Sequence, residues 1–159
     1  MNQTVALDLA DEAIARSVLD LQRAAYAVEA ALIGSDGIPQ LTETIDELRA
    51  ADESWLGVSD AHGLAGAVSW REQPDGTVDI HRLVVAPRAF RRGVATTLLD
   101  ALDGRYPDRP MVVSTGRDNA PARELYRRRG FVLLGEREVV AGLWIAELGR
   151  PAKDRVNPR

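Results

Sequence analysis

The sequence contains no cysteine and only two histidines, His62 and His81. Without cysteine the chain cannot form a disulfide, a thiolate metal site or a cysteine nucleophile. Histidine is the commonest alternative metal ligand, but two of them are too few for a histidine-based metal cluster. The sequence therefore predicts a protein without a bound metal.

Long apolar segments and an excess of basic residues are also absent. No stretch approaches the roughly 20 apolar residues that a membrane-spanning helix needs. The N-terminus lacks the basic start and apolar run of a signal peptide. The formal charge of −4 is unlike that of nucleic-acid-binding domains, which present a broad basic face. We therefore expect a cytoplasmic protein that binds neither membranes nor nucleic acid.

The 159 residues, of which 45% are hydrophobic and 28% charged, have the composition of one globular domain. Apolar periodicity and turn residues predict the element order β-α-α-β-β-β-α-β-α-β-β, a mixed α/β arrangement around one sheet. The domain is expected to cover residues 1–149. Residues 150–159 are predicted to form a polar C-terminal tail.

Residues 80–102 combine a predicted strand, a basic turn and a predicted helix. An apolar run ends before Pro87, because proline cannot donate to a sheet ladder. Apolar residues recur at helical spacing across 94–102. The turn at 88–93 contains arginines and Gly93 but no side chain that usually caps a helix. Free amides, the helix dipole and the guanidinium groups together predict a phosphate-binding turn; the alternative is an uncapped helix with solvated arginines.

A second motif follows at residues 119–131, which read Asn-Ala-Pro-Ala-Arg-Glu-Leu-Tyr-Arg-Arg-Arg-Gly-Phe. Together with the preceding strand, turn and helix, this segment resembles the GNAT superfamily of N-acetyltransferases. Members carry a turn of the form Arg/Gln-x-x-Gly-x-Gly/Ala and then Asn-x-x-Ala-x-x-Leu-Tyr-x-x-x-Gly-Phe. The chain matches the turn at Gly93 and Ala95 and departs from it at Phe90. It matches the second motif throughout, at Asn119, Ala122, Leu125, Tyr126, Gly130 and Phe131.

The resemblance implies a GNAT-like acyl-CoA N-acyltransferase fold, in which two central parallel strands splay apart and acetyl-CoA lies in the opening. The backbone of Leu83, Val84 and Val85 would then bind the pantetheine arm. Asn119 would cap its helix and also approach the coenzyme. The resemblance allows a homodimer, because dimers are common among such proteins. The amides expected to bind the pyrophosphate are those of Arg91, Arg92, Gly93, Val94, Ala95 and Thr96.

Acetyl transfer to an amine needs a base that deprotonates the ammonium group and an acid that protonates the departing thiolate. Tyr126 occupies the family's tyrosine position, which implies that its hydroxyl is the acid. Asp79 and His81 are both candidates for the base. Alternation along a strand would place them on one face together with Leu83 and Val85. Asp79 lies where several family members carry a glutamate, and His81 has an unperturbed pKa of about 6.5, so the residues leave the choice open.

The resemblance implies transfer of an acetyl group from acetyl-CoA to a primary amine, by direct attack in a ternary complex. The acceptor would be a small-molecule or peptide amine. One alternative is a non-catalytic acyl-CoA-binding domain of the same fold, with a sensor or regulatory role. Another is an interaction domain in which the glycine turn is only structural. In this family the first helices and the last hairpin determine acceptor specificity, so the resemblance makes candidates of Gln22, Tyr26, Glu29, Trp70 and Trp144. The alternative for the polar row on the first helix is a solvent-exposed face.

Overall fold

The structure of the protein, a computed structural model, describes residues 3–35 and 37–152. These residues form four helices, which are α1 (Glu12–Ile33), α2 (Ile45–Ala50), α3 (Val94–Arg105) and α4 (Ala120–Arg128). They also form seven strands, which are β1 (Thr4–Ala6), β2 (Ser54–Asp60), β3 (Gly63–Glu72), β4 (Val78–Val85), β5 (Met111–Gly116), β6 (Val132–Val140) and β7 (Leu143–Arg150).

The strands make one mixed sheet in the order β1-β2-β3-β4-β5-β7-β6. Neighbouring strands are antiparallel except β4 and β5, which are parallel. The predicted element order and the single mixed sheet are confirmed. Strand β7 includes Arg150, which pairs with Met111, so the polar tail begins later than predicted; residues 153–159 of that tail lie outside the described residues.

Polar side chains and a glycine fix both ends of α1 and the start of α2, the first two helices of the chain. Helix α1 begins after Asp11, whose carboxylate accepts hydrogen bonds from two amides of the first turn, and it ends at Gly34 with φ +67°. Helix α2 begins with a capping box, in which Thr44 and Glu47 each accept from the other's backbone amide. No helix in the described ranges is long and apolar enough to cross a membrane.

Helices α1 and α3 cover opposite faces of the sheet. A Cβ atom at Gly66 of β3 would lie only 2.4 Å from the side chain of Val94, so α3 packs directly on this glycine. On the other face, Gln22 of α1 bonds the guanidinium group of Arg82, which projects from β4. Buried side chains of both layers form the core, with Trp70, Ile80, Leu98, Leu102 and Val18 among the most deeply buried.

Strand β4 contains a β-bulge at His81. Ser69 of β3 lies opposite Arg82, and the next residue, Trp70, lies opposite Ile80, so His81 has no partner on β3. Residues directly opposite on antiparallel strands share a face. Trp70 donates to Tyr106 at the end of α3, which places Ile80 on the α3 face.

The bulge changes which side chains of β4 lie together. An extra residue interrupts the alternation of a strand, so both Asp79 and Arg82 lie on the α1 face. Leu83 and Val85 follow Arg82 in regular alternation, and Val85 pairs with Gly66 on the α3 face. The prediction that Asp79, His81, Leu83 and Val85 share one face is therefore wrong, although Asp79 and His81 do lie together.

Candidate active site

The parallel strands β4 and β5 separate after three paired residues. Val78, Asp79 and Ile80 pair with Met111, Val112 and Val113. Beyond this point β4 continues to Val85, paired only with β3, and β5 continues to Gly116, paired only with β7. The predicted splay of the central strand pair is confirmed. The edge of β4 that faces the opening runs along Leu83, Val84 and Val85, and its peptide groups are available to a ligand lying there.

The opening leads to the turn before α3. Gly93 and Arg91 both have positive φ values, +76° and +63°. The amide of Thr97 donates to the carbonyl oxygen of Gly93 at 2.9 Å, and this is the first i to i−4 hydrogen bond of the helix. The amides of residues 91–96 donate to no other described residue. Left-handed residues alternating with helical ones turn successive amides toward one point, which is a common anion-binding arrangement.

Two properties of this turn favour a ligand over a solvated loop. A Cβ atom added to Gly93 would meet no atom of the described chain within 4 Å, so the space above the amides is open. Arg91 is not a glycine, and a left-handed conformation costs such a residue about 1–2 kcal/mol. Strained residues of this kind cluster at binding sites, and here the strained residue carries a positive charge.

His81 lies between two carboxylates on the α1 face. Its Nδ1 atom is 3.0 Å from Glu53 Oε2, and its Nε2 atom is 3.2 Å from Asp79 Oδ2. The hydrogen bond to Glu53 is the main reason that the pKa of His81 is raised, and the charges of both carboxylates add to it against the effects of burial and Arg71. The side chain of Glu53 is 3% exposed and that of Asp79 is 33% exposed. Glu53 therefore holds the ring from inside, and Asp79 lies on the solvent side.

Glu53 is a functional candidate that the sequence analysis missed. Burial raises the pKa of its carboxyl group, but hydrogen bonds from His81 and Ser69 and the charge of Arg82 outweigh burial, so the pKa lies below its usual range. An ionised Glu53 accepts a hydrogen bond from His81 Nδ1–H. The Nε2 atom, beside Asp79, is then the ring atom that can exchange a proton with water or a ligand.

Arg82 joins this pair to the rest of the domain. Its side chain is 6% exposed, and it donates to Gln22 at 2.7 Å, to Glu53 and to both carboxylate oxygens of Glu43. Gln22 in turn donates to Glu43 at 2.8 Å. Helix α1, the segment before α2 and strand β4 are thus held in one buried polar network. Gln22 is fully buried within it, so the prediction that Gln22 contacts the acceptor is wrong.

A cavity of about 300 Å³ opens beside His81. Ile80 and Ser114 form part of its wall, and they mark the level at which β4 and β5 separate. The cavity therefore lies at the mouth of the opening, and its carboxylates suit a positively charged ligand. Its lining residues are Gln40, Glu53, Asp79, Ile80, His81, Arg82 and Ser114.

A larger depression of about 550 Å³ lies between the β1–α1 loop and α2. Glu53 borders it as well, but neither His81 nor Asp79 does. A group that must exchange a proton with the acceptor has to lie within hydrogen-bond reach of it or be linked to it by one water. The smaller cavity is therefore the candidate acceptor site.

Tyr126 lies on α4 with its side chain buried, and its ring packs edge to face against Phe131 at 5.3 Å between centroids. Burial is the main cause that raises the pKa of Tyr126, and the charge of Glu29 raises it further against the opposing charge of Arg129. The hydroxyl is therefore protonated at neutral pH, as a proton donor must be.

Tyr26 of α1 belongs to the same cluster. Burial and then the charge of Glu29 raise its pKa, and Tyr126 and Glu53 act in the same direction. Glu29 also accepts a hydrogen bond of 3.4 Å from the amide of Gly116, at the end of β5. Tyr26 and Glu29 are two of the predicted acceptor-side residues. Tyr26 lies close enough to Glu29, Tyr126 and Glu53 for their charges to act on its hydroxyl, and Glu29 acts on Tyr126 in the same way.

Asn119 and the two predicted tryptophans occupy different environments. Asn119 caps α4, since its Oδ1 accepts a hydrogen bond of 3.2 Å from the amide of Ala122, so the predicted cap is confirmed. Trp70 is 1% exposed and packs on the α3 face, which makes its predicted contact with the acceptor wrong. Trp144 stacks with the guanidinium group of Arg117, 4.8 Å from the ring centre.

Two curated proteins match the chain in sequence. UPF0157 protein YqkA of Bacillus subtilis (strain 168) is 37% identical over 119 residues, which are 74% of this chain and 34% of that protein. Mycothiol acetyltransferase of Geodermatophilus obscurus is 35% identical over 147 residues, which are 86% of this chain and 45% of that protein. The chain therefore spans less than half the length of each of these relatives.

Known structures resemble the fold over nearly its whole length. The PaiA N-acetyltransferase of Thermoplasma acidophilum, solved in complex with coenzyme A, superimposes with a TM-score of 0.73 at 14% identity, covering 95% of this chain and 99% of that one. At this level of identity the likeness concerns the fold. The model of the acetyltransferase (GNAT) family matches residues 16–131. This chain belongs to the acetyltransferase (GNAT) family.

Proposed function

We propose that this protein transfers an acetyl group from acetyl-CoA to a primary amine, by direct attack in a ternary complex. The observation that carries the proposal is the separation of β4 and β5. The opening between these strands leads to the amides of residues 91–96, which donate no hydrogen bond to any described residue. An extended ligand can add to the free edge of β4 while its phosphates occupy the turn. The family, and the relative named as an acetyltransferase, support acetyl transfer as the chemistry.

Cofactor contacts follow from this placement. The N–H and C=O groups of Leu83 and Val85 face the opening, with Val84 between them. The turn offers backbone amides and guanidinium groups to a pyrophosphate. Asn119 caps the start of α4, and in this proposal it lies beside the coenzyme. The residues of the turn that take part are Arg91, Arg92, Gly93, Val94, Ala95 and Thr96.

His81 is the base in this proposal, and Glu53 is its positioning residue. The ammonium group of the acceptor binds beside Asp79 in the 300 Å³ cavity and gives one proton to His81 Nε2, directly or through one water. Asp79 is the more exposed of the two carboxylates, so it can leave the ring when the acceptor arrives. The amine lone pair then attacks the acetyl carbonyl carbon.

Tyr126 is the acid in this proposal. When the carbon–sulfur bond breaks, the sulfur takes the proton of the Tyr126 hydroxyl, and the products are an amide and free coenzyme A. Burial and the charge of Glu29 keep this hydroxyl protonated. A phenol can donate a proton to a developing thiolate, because the ordinary pKa values of the two groups, about 10 and about 8.5, are close. The nitrogen that has attacked still carries one proton more than the amide, and this proton passes to the Tyr126 phenolate, directly or through water. His81 releases the first proton to solvent before the next turnover.

Calorimetric titration with acetyl-CoA tests the cofactor site. Gly93→Glu places a carboxylate in the open space above the amides, and it is expected to abolish binding. Gly76→Glu is the matched control, because Gly76 also has a positive φ, +91°, and a Cβ atom there also meets nothing within 4 Å. This variant is expected to bind as the wild type does. A folded wild-type protein that does not bind acetyl-CoA would refute the proposal.

Release of free coenzyme A with a panel of amines tests turnover. If the protein is an N-acetyltransferase, thiol release depends on the amine. The rate of release then rises as pH increases through the raised pKa of His81. His81→Gln should remove this limb of the pH profile, and Asp79→Asn should keep it. Binding of acetyl-CoA without release for any amine would instead assign a non-catalytic acyl-CoA-binding domain.

A further inference from the structure

Two polar side chains of the candidate acceptor cavity have no part in the proton transfers described above. They are the amide of Gln40 and the hydroxyl of Ser114, and both line the same cavity of about 300 Å³ as Asp79 and His81. Within residues 3–35 and 37–152 neither side chain makes a hydrogen bond. A small number of well-placed polar groups usually fixes the orientation of a ligand in such a cavity, and these two groups are available for that role.

The sheet places Ser114 on the same face as the candidate base. Asp79 lies on the α1 face and pairs with Val112 of the parallel strand β5. Side chains alternate along a strand, so Ser114, two positions after Val112, lies on this face as well. It is also the first residue of β5 beyond the pairs that join the two strands. Its hydroxyl therefore borders the cavity from the β5 side, and His81 borders it from the β4 side.

A buried network holds Gln40 at the cavity. Gln40 lies in the short 3₁₀ helix Pro39–Leu41, and its carbonyl oxygen accepts a hydrogen bond of 3.2 Å from Nε2 of Gln22. Gln22 is fully buried and also accepts a hydrogen bond from Arg82. The backbone of Gln40 is thus fixed by the same network that holds α1 against β4, while its side-chain amide has no partner in the described chain.

The charges of the cavity are unfavourable for an anionic acceptor. Arg82 is shared by Glu43 and Glu53, and His81 lies between Glu53 and Asp79. Among the described residues that line the cavity there is no other cation. A carboxylate next to the acceptor's amine would therefore lie near Asp79 without a free cation to pair with, and like charges repel each other. A linear diamine would lack a second exposed carboxylate, because the side chain of Glu53 is only 3% exposed.

We propose that the acceptor is a small hydroxylated primary amine without an anionic group, an amino alcohol or an amino sugar. Its ammonium group binds beside Asp79, and its hydroxyl groups bond to Gln40 and Ser114. A hydroxyl both donates and accepts hydrogen bonds, so it can pair with an amide and with another hydroxyl. A volume of about 300 Å³ is at the lower end for ligand pockets, which favours a small acceptor. The inference rests on the proposed function and makes Gln40 and Ser114 specificity-determining residues.

Three amines with one carbon skeleton test the substrate class. They are 2-amino-1,3-propanediol, 2-aminopropane and serine, which differ only in the hydroxyl and carboxylate groups on the outer carbons. Release of free coenzyme A gives kcat/KM for each amine. The wild-type protein is expected to prefer the diol to serine by more than about tenfold, because the carboxylate of serine faces Asp79 without a free cation.

Two variants test the side chains. Ser114→Ala should lower kcat/KM for the diol about three- to tenfold, the effect of one lost hydrogen bond, and should change that for 2-aminopropane by less than about twofold. Gln40→Leu should show the same contrast, because it removes the amide and keeps most of the volume. Comparing each amine with itself in variant and wild type removes differences in intrinsic reactivity. Ser59→Ala is the matched control, since Ser59 is exposed on β2 and outside the cavity, and it should leave both amines unaffected.

The outcomes separate this inference from the proposed function. Equal losses for the diol and 2-aminopropane in both variants would overturn the inference, because the two side chains would then not contact the hydroxyl groups. A wild-type preference for serine or for 1,3-diaminopropane over the diol would overturn it as well, and acetyl transfer would remain. If no amine supports release of coenzyme A, the proposed function itself fails, and the inference fails with it.

Discussion

We expect substitution of Arg82 to lower the free energy of unfolding more than substitution of other side chains of similar size. Its guanidinium group is shared by Glu43 and Glu53, whose side chains are 15% and 3% exposed. Arg82→Met keeps most of the side-chain volume but leaves both carboxylates without their cation. The variant also removes a bond to Gln22, which anchors α1 to β4.

The expected loss is at the lower end of the range for broken buried ion pairs. Removing one partner of such a pair costs about 3–5 kcal/mol, because a charge is left buried without compensation. Glu53 keeps hydrogen bonds from His81 at 3.0 Å and from Ser69 at 2.6 Å, and Glu43 keeps Gln22. We therefore expect a loss of about 3 kcal/mol at neutral pH, a large share of the 5–15 kcal/mol that stabilises a typical domain.

The penalty should depend on pH with a definite sign. In the wild type the pKa of Glu53 is lowered, so its ionised form stabilises the fold above the pKa of an unfolded glutamate, and this contribution disappears as pH falls toward the folded pKa. Without Arg82 one cause that lowers the pKa of Glu53 is removed, so this pKa rises and ionised Glu53 stabilises the fold less. The difference between variant and wild type should therefore be largest at neutral pH and shrink as pH falls through about 4.3, the ordinary pKa of a glutamate side chain.

Urea unfolding at pH 7 and at pH 4 measures these differences. Arg16→Met is the control, because Arg16 makes only an exposed contact of 3.9 Å with Glu12, and exposed pairs contribute about 0–1 kcal/mol. Replacing the carboxylates as well, with Glu43→Gln and Glu53→Gln, should recover part of the loss. A loss below about 1 kcal/mol for Arg82→Met, in the range of an exposed pair, would refute this account. No recovery in the triple variant would refute it too.

Three smaller predictions concern the site. Tyr126→Phe should lower kcat by about 10²–10⁴ while acetyl-CoA affinity is retained, measured by steady-state kinetics and calorimetry; a drop below about threefold would exclude the acid role. Glu53→Gln should lower the pKa of His81, because their hydrogen bond is the main cause of the raised value, and imidazole proton NMR in a His62→Gln background measures this directly. Asn119→Ala should cost about 1 kcal/mol of unfolding free energy through loss of the α4 cap, while Asn119→Asp keeps the acceptor oxygen and should cost less.

Local signals account for the parts of the molecule that were predictable from sequence. Helix caps and turns depend on residues within a few positions of one another, so the cap at Asn119 and the break at Gly93 are visible in the sequence itself. The element order follows from apolar periodicity in the same way. The splay of β4 and β5 came from the resemblance to a family, since no periodicity indicates where two parallel strands part.

The rest depended on a backbone irregularity and on contacts distant in sequence. Glu53 lies 28 positions before His81 in a segment without regular structure, and nothing near it marks a buried carboxylate. Arg82 lies within an apolar strand, where a charged residue is usually expected to face solvent. A regular period of two predicts that Leu83 and Val85 share a face with Asp79, but the bulge at His81 moves every later side chain to the other face.

The bulge at His81 explains how one strand can serve both halves of the proposed site. In a regular strand Asp79, His81 and Leu83 would share the α1 face, and Arg82 would point toward α3, away from Gln22 and the carboxylates. The extra residue instead places Asp79, His81 and Arg82 on the α1 face, where the candidate acceptor cavity lies, and Leu83 and Val85 on the α3 face. The same residues also leave their outer peptide groups free, because β5 has already separated. The proposed sites of proton transfer and of cofactor binding thus lie side by side because of one inserted residue, and deleting it would be expected to disconnect them.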